Sequence, residues 1–131
     1  MAPDTKKKIL VVDDDDNLRK ILLDALTNAG FEPIGASNGE EGLQKALESH
    51  PDVMMLDVMM PKMDGWQVLD KLRTDAWGKT AKVIMLTSLG QMENIAHAMD
   101  KKVLTYIVKS DLDLNNISDT INGVINNSVI Q

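Results

Sequence analysis

Asp13, Asp14, Asp15 and Asp16 stand in an unbroken row behind the apolar run Ile9-Leu10-Val11-Val12, and a second apolar run, Val53 to Leu56, ends on Asp57. Carboxylates crowded at the ends of strands repel one another, so such a cluster is tolerable only if a cation neutralises it or some of its members point into water. An all-oxygen donor set selects Mg²⁺ or Ca²⁺ over softer metals. Asp15 and Asp16 stand just ahead of a predicted helix and read as acids that stabilise its N-terminus rather than as ligands. Asp52 and Asp64 read likewise as turn or capping residues.

The hydrophobic pattern predicts the elements that must position these acids. Ile9 to Val12 is a short continuous apolar run, as expected of a strand covered on both faces. Leu18, Ile21, Leu22, Ala25, Leu26 and Ala29 recur at helical spacing, and Gly30 supplies the stop. A weak strand from Glu32 to Ala36 precedes a second helix, opened by Ser37 and Glu40 as a capping box and continued by Leu43, Ala46 and Leu47. Val53 to Leu56 is the next buried strand, Asp64-Gly65 turns the chain, and Val68, Leu69 and Leu72 mark a third helix. Lys82 to Leu86 reads as a fourth strand and Leu104 to Val108 as a fifth. Met92, Ile95, Ala96 and Met99 mark a fourth helix, and Leu114, Ile117, Ile121, Val124 and Ile125 a last, amphipathic one. Five βα units in strict alternation imply an α/β fold with a doubly wound parallel sheet. Such sheets bind ligands beyond the carboxyl ends of their strands, where strand order reverses.

At 131 residues the chain makes one domain with a sizeable core. A net charge of −6 without any basic stripe disfavours direct binding of nucleic acid or anionic lipid. No run approaches a membrane span, and too short an apolar stretch follows Lys6 to Lys8 for a signal peptide, so a cytoplasmic protein is expected. The absence of cysteine excludes thiolate zinc sites and thiol nucleophiles. Met54, Met55, Met59, Met60 and Met63 read as adaptable core filling rather than a copper site. His50 and His97 are given no ligand role, and Trp77 reads as the packing anchor of a surface loop.

Thr87, Ser88 and Lys109 also fall at strand ends, on the same rim as the acids. A carboxylate can be a nucleophile toward phosphorus, given a divalent ion to neutralise the phosphoryl oxygens, a cation opposite and a hydroxyl to receive the product. The motifs VVDD at Val11 to Asp14, LDVMMPKMDG at Leu56 to Gly65, MLTS at Met85 to Ser88 and YIVK at Tyr106 to Lys109 together resemble the receiver domains of two-component response regulators. The resemblance runs over residues 8–127, leaving 1–7 and 128–131 as flexible termini. It implies a flavodoxin-like (βα)5 fold with strand order 2-1-3-4-5. It further implies Asp57 as the phosphoacceptor, with Mg²⁺ held by Asp13, Asp14, Asp57 and the backbone carbonyl of Met59. Thr87 becomes the switch hydroxyl, Lys109 its partnering point charge and Tyr106 the aromatic that changes rotamer. The surface of the fourth and last helices and the fifth strand would then carry the signal to a downstream protein.

Within the resemblance the phosphoryl donor is a sensor histidine kinase or a phosphotransfer protein, and the chain is a monomer or weak dimer that catalyses only its own phosphorylation and dephosphorylation. No Lys or Arg occurs from Ser110 to Gln131, where DNA-binding members that dimerise through this face carry basic residues. Two departures from the pattern stand out. Ser110 replaces the usual proline after the lysine, so a trans bond is expected, since cis costs about 3 kcal/mol for a non-proline residue. Lys102-Val103 replaces the usual Gly-Ala before the fifth strand. A receiver-like scaffold that is never phosphorylated is one alternative. Another is a Mg²⁺-dependent aspartyl phosphatase of the haloacid-dehalogenase type, whose D-x-D pattern Asp13 and Asp15 match but whose following residues are missing. A flavodoxin-like cofactor binder fits poorly, because four aspartates in its first loop would repel a phosphate.

Overall fold

A computed structural model describes residues 6–88 and 105–126. Its strands β1 (Lys8–Val12), β2 (Glu32–Ala36), β3 (Val53–Asp57), β4 (Val83–Thr87) and β5 (Thr105–Val108) form one parallel sheet in the order β2-β1-β3-β4-β5. That is the predicted sheet order. The register sets Val12 beside Ala36 and Leu56, Asp57 beside Leu86, and Thr87 beside Val108. Parallel strands in this register end together, so the residues that follow them gather on one rim.

Side-chain alternation in the strands divides the core in two. Leu10, Val12, Met54 and Leu56 pack with Ala46 of α2 (Gly39–Ser49) and with Val68, Leu69 and Leu72 of α3 (Gly65–Arg73). Ile9, Val11, Val53 and Met55 pack on the other side with Leu22 and Leu26 of α1 (Asp16–Asn28) and with Ile117, Ile121 and Val124 of the last helix (Ile117–Asn126). Because both faces are covered, β1, β3 and β4 are apolar in nearly every position, which is why they read as continuous runs. From β1 the chain first winds outward to β2 and then returns to place β3 on the other side of β1. The reversal therefore lies between β1 and β3, where Asp13 and Asp57 emerge.

Several boundaries differ from the sequence reading. The cap of α2 is Asn38, whose side chain accepts from the Glu41 amide at 2.8 Å; the carboxylate reaching back to Ser37 belongs to Glu41, not Glu40. That carboxylate accepts from the Ser37 amide at 2.7 Å and pairs with Lys45, and the two contacts hold its pKa down at about 2. Asp64 caps α3 in a capping box with Gln67, so the expected Asp64-Gly65 turn is already the start of the helix. The fourth strand runs Val83–Thr87 rather than from Lys82, and Leu114 sits in a separate 3₁₀ turn ahead of the last helix. Ile21, expected on the buried stripe of α1, is 47% exposed. Asp52 lies in the bend before β3, and its carboxylate accepts from the Lys8 amide at 2.8 Å, tying the start of β1 to that loop. Trp77 stacks on His50 with ring centroids 4.5 Å apart and packs against the core, as an anchor should. The predicted fourth helix (Met92, Ile95, Ala96, Met99), Leu104 at the expected start of the fifth strand, and His97 lie outside the described residues.

Candidate functional site

The β1–α1 connection is short, and Asp13 and Asp15 hold it with hydrogen bonds. Asp13 is completely buried; its amide donates to the Ala36 carbonyl at 3.2 Å and its Oδ1 accepts from the Asp15 amide at 2.9 Å. Asp15 then caps α1, accepting from the amides of Asn17 and Leu18 at 3.0 and 3.1 Å, an arrangement worth about 1 kcal/mol to a helix. Asp16 lies in the first turn and pairs with Arg19. Asp15 thus caps the helix, and Asp16 adds an acid to its first turn, as expected of acids that stabilise a helix N-terminus. Asp14, between the buried ligand candidate and the cap, is exposed.

Asp57 closes β3 and is 2% exposed. Its Oδ1 accepts from the Met59 amide at 3.3 Å and meets the Lys109 ammonium at 3.1 Å; its Oδ2 has no hydrogen-bond partner. Lys109 Nζ stands equally 3.1 Å from Asp13 Oδ2, so one ammonium bridges two buried acids. Burial pushes the Asp57 carboxyl up to about 7, the charge of Asp13 adds to the rise, and Lys109 opposes it. For Lys109 burial alone would lower the ammonium, but the Asp13 and Asp57 charges outweigh it and the pKa lies above its ordinary value. One positive charge between two negative ones leaves the pocket a net anion, and Asp14 adds a further charge at its mouth.

Asp13, Asp14 and Asp57 each offer a carboxylate oxygen within 4.8 Å of the others. A buried carboxylate oxygen without a donor is costly unless something else supplies positive charge. The donor set is all oxygen and suits a hard divalent cation. The expected ligand candidates are therefore brought together, and with them Lys109.

Thr87 ends β4 fully buried, and its hydroxyl donates to the Ser88 carbonyl at 3.2 Å. Tyr106, in β5, is half-buried against the α2/α3 side of the core. Met59 departs from expectation: it is 58% exposed at the edge of the site, not core filling, whereas Met54 and Met55 are buried and Met60 nearly so. Val58, between Asp57 and Met59, is buried, and its amide donates to the Leu86 carbonyl at 3.0 Å.

The sequence reading gives Gly65 only the role of a turn residue and Arg19 none. Gly65 begins α3 so close to β3 that a Cβ there would lie 2.3 Å from the Asp57 carbonyl oxygen. Arg19 reaches back from α1 and donates to the Asp13 carbonyl at 2.7 Å. Its spacing from Asp16 was the available signal, since i and i+3 on a helix are neighbours.

The family model for the response regulator receiver domain matches residues 9–122. Over 104 residues the chain is 43% identical to a probable transcriptional regulator, ycf27, of Pyropia yezoensis; the match covers 79% of this chain and 42% of that protein. The chain thus spans less than half the length of that relative. Among solved structures, the chemotaxis protein CheY4 of Vibrio cholerae superposes with a TM-score of 0.84 at 28% identity, covering 92% of this chain and 99% of that one. A response regulator receiver domain protein from Clostridium thermocellum gives 0.83 at 31% identity, covering 92% and 94%.

Proposed function

This chain belongs to the response regulator receiver domain family, and from that membership we propose that it is a phosphorylation-dependent switch whose acceptor is Asp57. The observation that carries the proposal is the buried Oδ2 of Asp57, unpartnered, on a carboxylate whose other oxygen is held 3.1 Å from an ammonium. In the reaction a carboxylate oxygen of Asp57 attacks the phosphorus of a phosphohistidine or acyl phosphate. The P–O bond to Asp57 forms as the donor's P–N or P–O bond breaks, and the leaving group departs with the electron pair.

Asp13, Asp14, Asp57 and the Met59 carbonyl would hold Mg²⁺, which when bound supplies positive charge to the phosphoryl oxygens. Lys109, released from its bridge between the two acids, would follow the phosphoryl group as a point charge. Thr87 would exchange its bond to the Ser88 carbonyl for one to a phosphoryl oxygen, and that small movement is what Tyr106, on the neighbouring strand, would sense. The resulting population shift would be read on the surface of β5, the last helix and the predicted helix before β5. We assign the donor to a sensor histidine kinase or phosphotransfer protein of the cytoplasm and the receiver unit to residues 8–127. Among the described residues no helix is long and apolar enough to cross a membrane.

Incubation with Mg²⁺ and a small acyl phosphate, followed by intact mass and peptide mapping, should show one phosphoryl group on Asp57. Asp57→Asn should abolish it. Labelling of the variant at the parent rate would remove Asp57 from the mechanism, and a parent that never labels would favour a scaffold that is not phosphorylated.

A further inference from the structure

Arg19 follows Asp13 by six residues, at the fourth position of α1, and its side chain reaches back to the loop that carries the acids. Its guanidinium donates through one nitrogen to the Asp13 carbonyl at 2.7 Å and through the other to Asp16 Oδ1 at 2.5 Å. The two bonds are unequal. The Asp16 carboxylate is 83% exposed while the Arg19 side chain is 19% exposed, and an exposed pair of this kind adds little stability. The carbonyl bond is the shielded one.

The arginine stem runs beside Gly35 of β2: a Cβ there would meet Arg19 Cδ in ordinary contact at 3.6 Å but would crowd Leu23 Cδ1 at 2.9 Å. The carbonyl that Arg19 grips belongs to the residue whose amide is fixed to Ala36 and whose Oδ1 is fixed by the Asp15 amide. Together these contacts leave the Asp13 peptide no free rotation, and Asp14 follows directly on it.

We propose that Arg19 is a positioning residue for the cation site, clamping the Asp13 peptide so that the carboxylates of Asp13 and Asp14 are preset for a divalent ion. The inference rests on the reading of these acids as a Mg²⁺ site. Charge and geometry make opposite predictions here. As a mere positive charge near the acids, Arg19 would repel Mg²⁺, and its removal would tighten binding. As a clamp, its removal loosens the donors and weakens binding, by about tenfold on the scale of outer contacts at metal sites.

The test is a calorimetric titration of the intact chain with Mg²⁺, with thermal unfolding in EDTA as a check on folding, for the parent, Arg19→Gln, Arg19→Lys and Asp16→Asn. Arg19→Gln should bind about tenfold more weakly, and so should Arg19→Lys, which keeps the charge but ends one bond short of the guanidinium nitrogen that reaches the Asp13 carbonyl. Asp16→Asn should stay within about twofold, since only the exposed pair is lost. Arg19→Gln binding as tightly as the parent or tighter, or Arg19→Lys binding like the parent, overturns the clamp. A loss in Asp16→Asn as large as in Arg19→Gln overturns the assignment to the Asp13 carbonyl. Should Arg19→Gln not fold, Arg19→Lys decides alone. A parent that takes up no Mg²⁺ at millimolar concentration overturns the site itself, whereas a binding parent with equally binding variants overturns only the role of Arg19.

Discussion

Asp57→Asn should stabilise the metal-free protein, and the gain should grow with pH. In the folded chain the Asp57 carboxyl is held at about 7 against an ordinary value of 3.8, so between these values the folded state keeps a proton that the unfolded state has released. Where the folded state binds more protons, stability falls as pH rises. The loss begins near pH 4 and is complete just above pH 7. About three units at 1.36 kcal/mol each put the whole effect near 4 kcal/mol, more than half of which falls between pH 5 and pH 8. Asparagine has nearly the same shape and no charge, so the variant escapes this loss while Lys109 keeps Asp13 as its partner. Urea unfolding of both proteins in EDTA at pH 5 and pH 8 measures it: the difference between variant and parent should widen by about 2–3 kcal/mol at the higher pH. Saturating Mg²⁺ should shrink the difference by stabilising only the parent. A difference that stays constant from pH 5 to pH 8, or a variant less stable than the parent at pH 8, would refute the claim that Asp57 is ionised at a cost.

Lys109→Met leaves Asp13 and Asp57 buried without their shared cation, and should cost about 3 kcal/mol at pH 8 and less at pH 5, where Asp57 takes up a proton, in the same urea experiment. Gly65→Ala would press a methyl to 2.3 Å from the Asp57 carbonyl oxygen, so the β3–α3 turn must open; a loss of about 2 kcal/mol or more is expected, with slower labelling by acyl phosphate. Met59→Asn should shorten the life of the phosphorylated state, followed by loss of phosphoryl mass, because an exposed thioether shields the site while an amide can orient an attacking water. An unchanged or longer lifetime would show that access of water is set elsewhere.

The strands were legible because burial on both faces leaves no polar position to break the pattern, and with them the rim residues Asp13, Asp57, Thr87 and Lys109, each one step past an apolar run or at its end. Legibility failed where one residue of offset changes the outcome. Asn38 and Ser37 are both good caps, and the Glu40-Glu41 pair offers a carboxylate to either; what selects Asn38 is the packing of Gly39, where a Cβ would meet the Met63 carbonyl at 2.6 Å. That contact is made by a residue 24 positions away and leaves no local mark. Met59 and Ile21 failed for the converse reason: composition says apolar, but burial is decided by neighbours. Arg19 and Gly65 act on backbone groups of the site, and a backbone carbonyl has no sequence signature.

Ser110 shows how a departure from the family pattern can leave the reach of the lysine intact. All described peptide bonds are trans, Lys109–Ser110 included, and Lys109 to Asp111 forms a single 3₁₀ turn. The ammonium nonetheless stands 3.1 Å from both Asp13 and Asp57. Lysine can do this because its charge rides on four methylenes, whose torsions absorb a displaced main chain, and because a point charge needs no fixed approach angle. An arginine in its place would need its plane aligned to two carboxylates at once. The proline of the usual pattern is therefore separable from the lysine's reach.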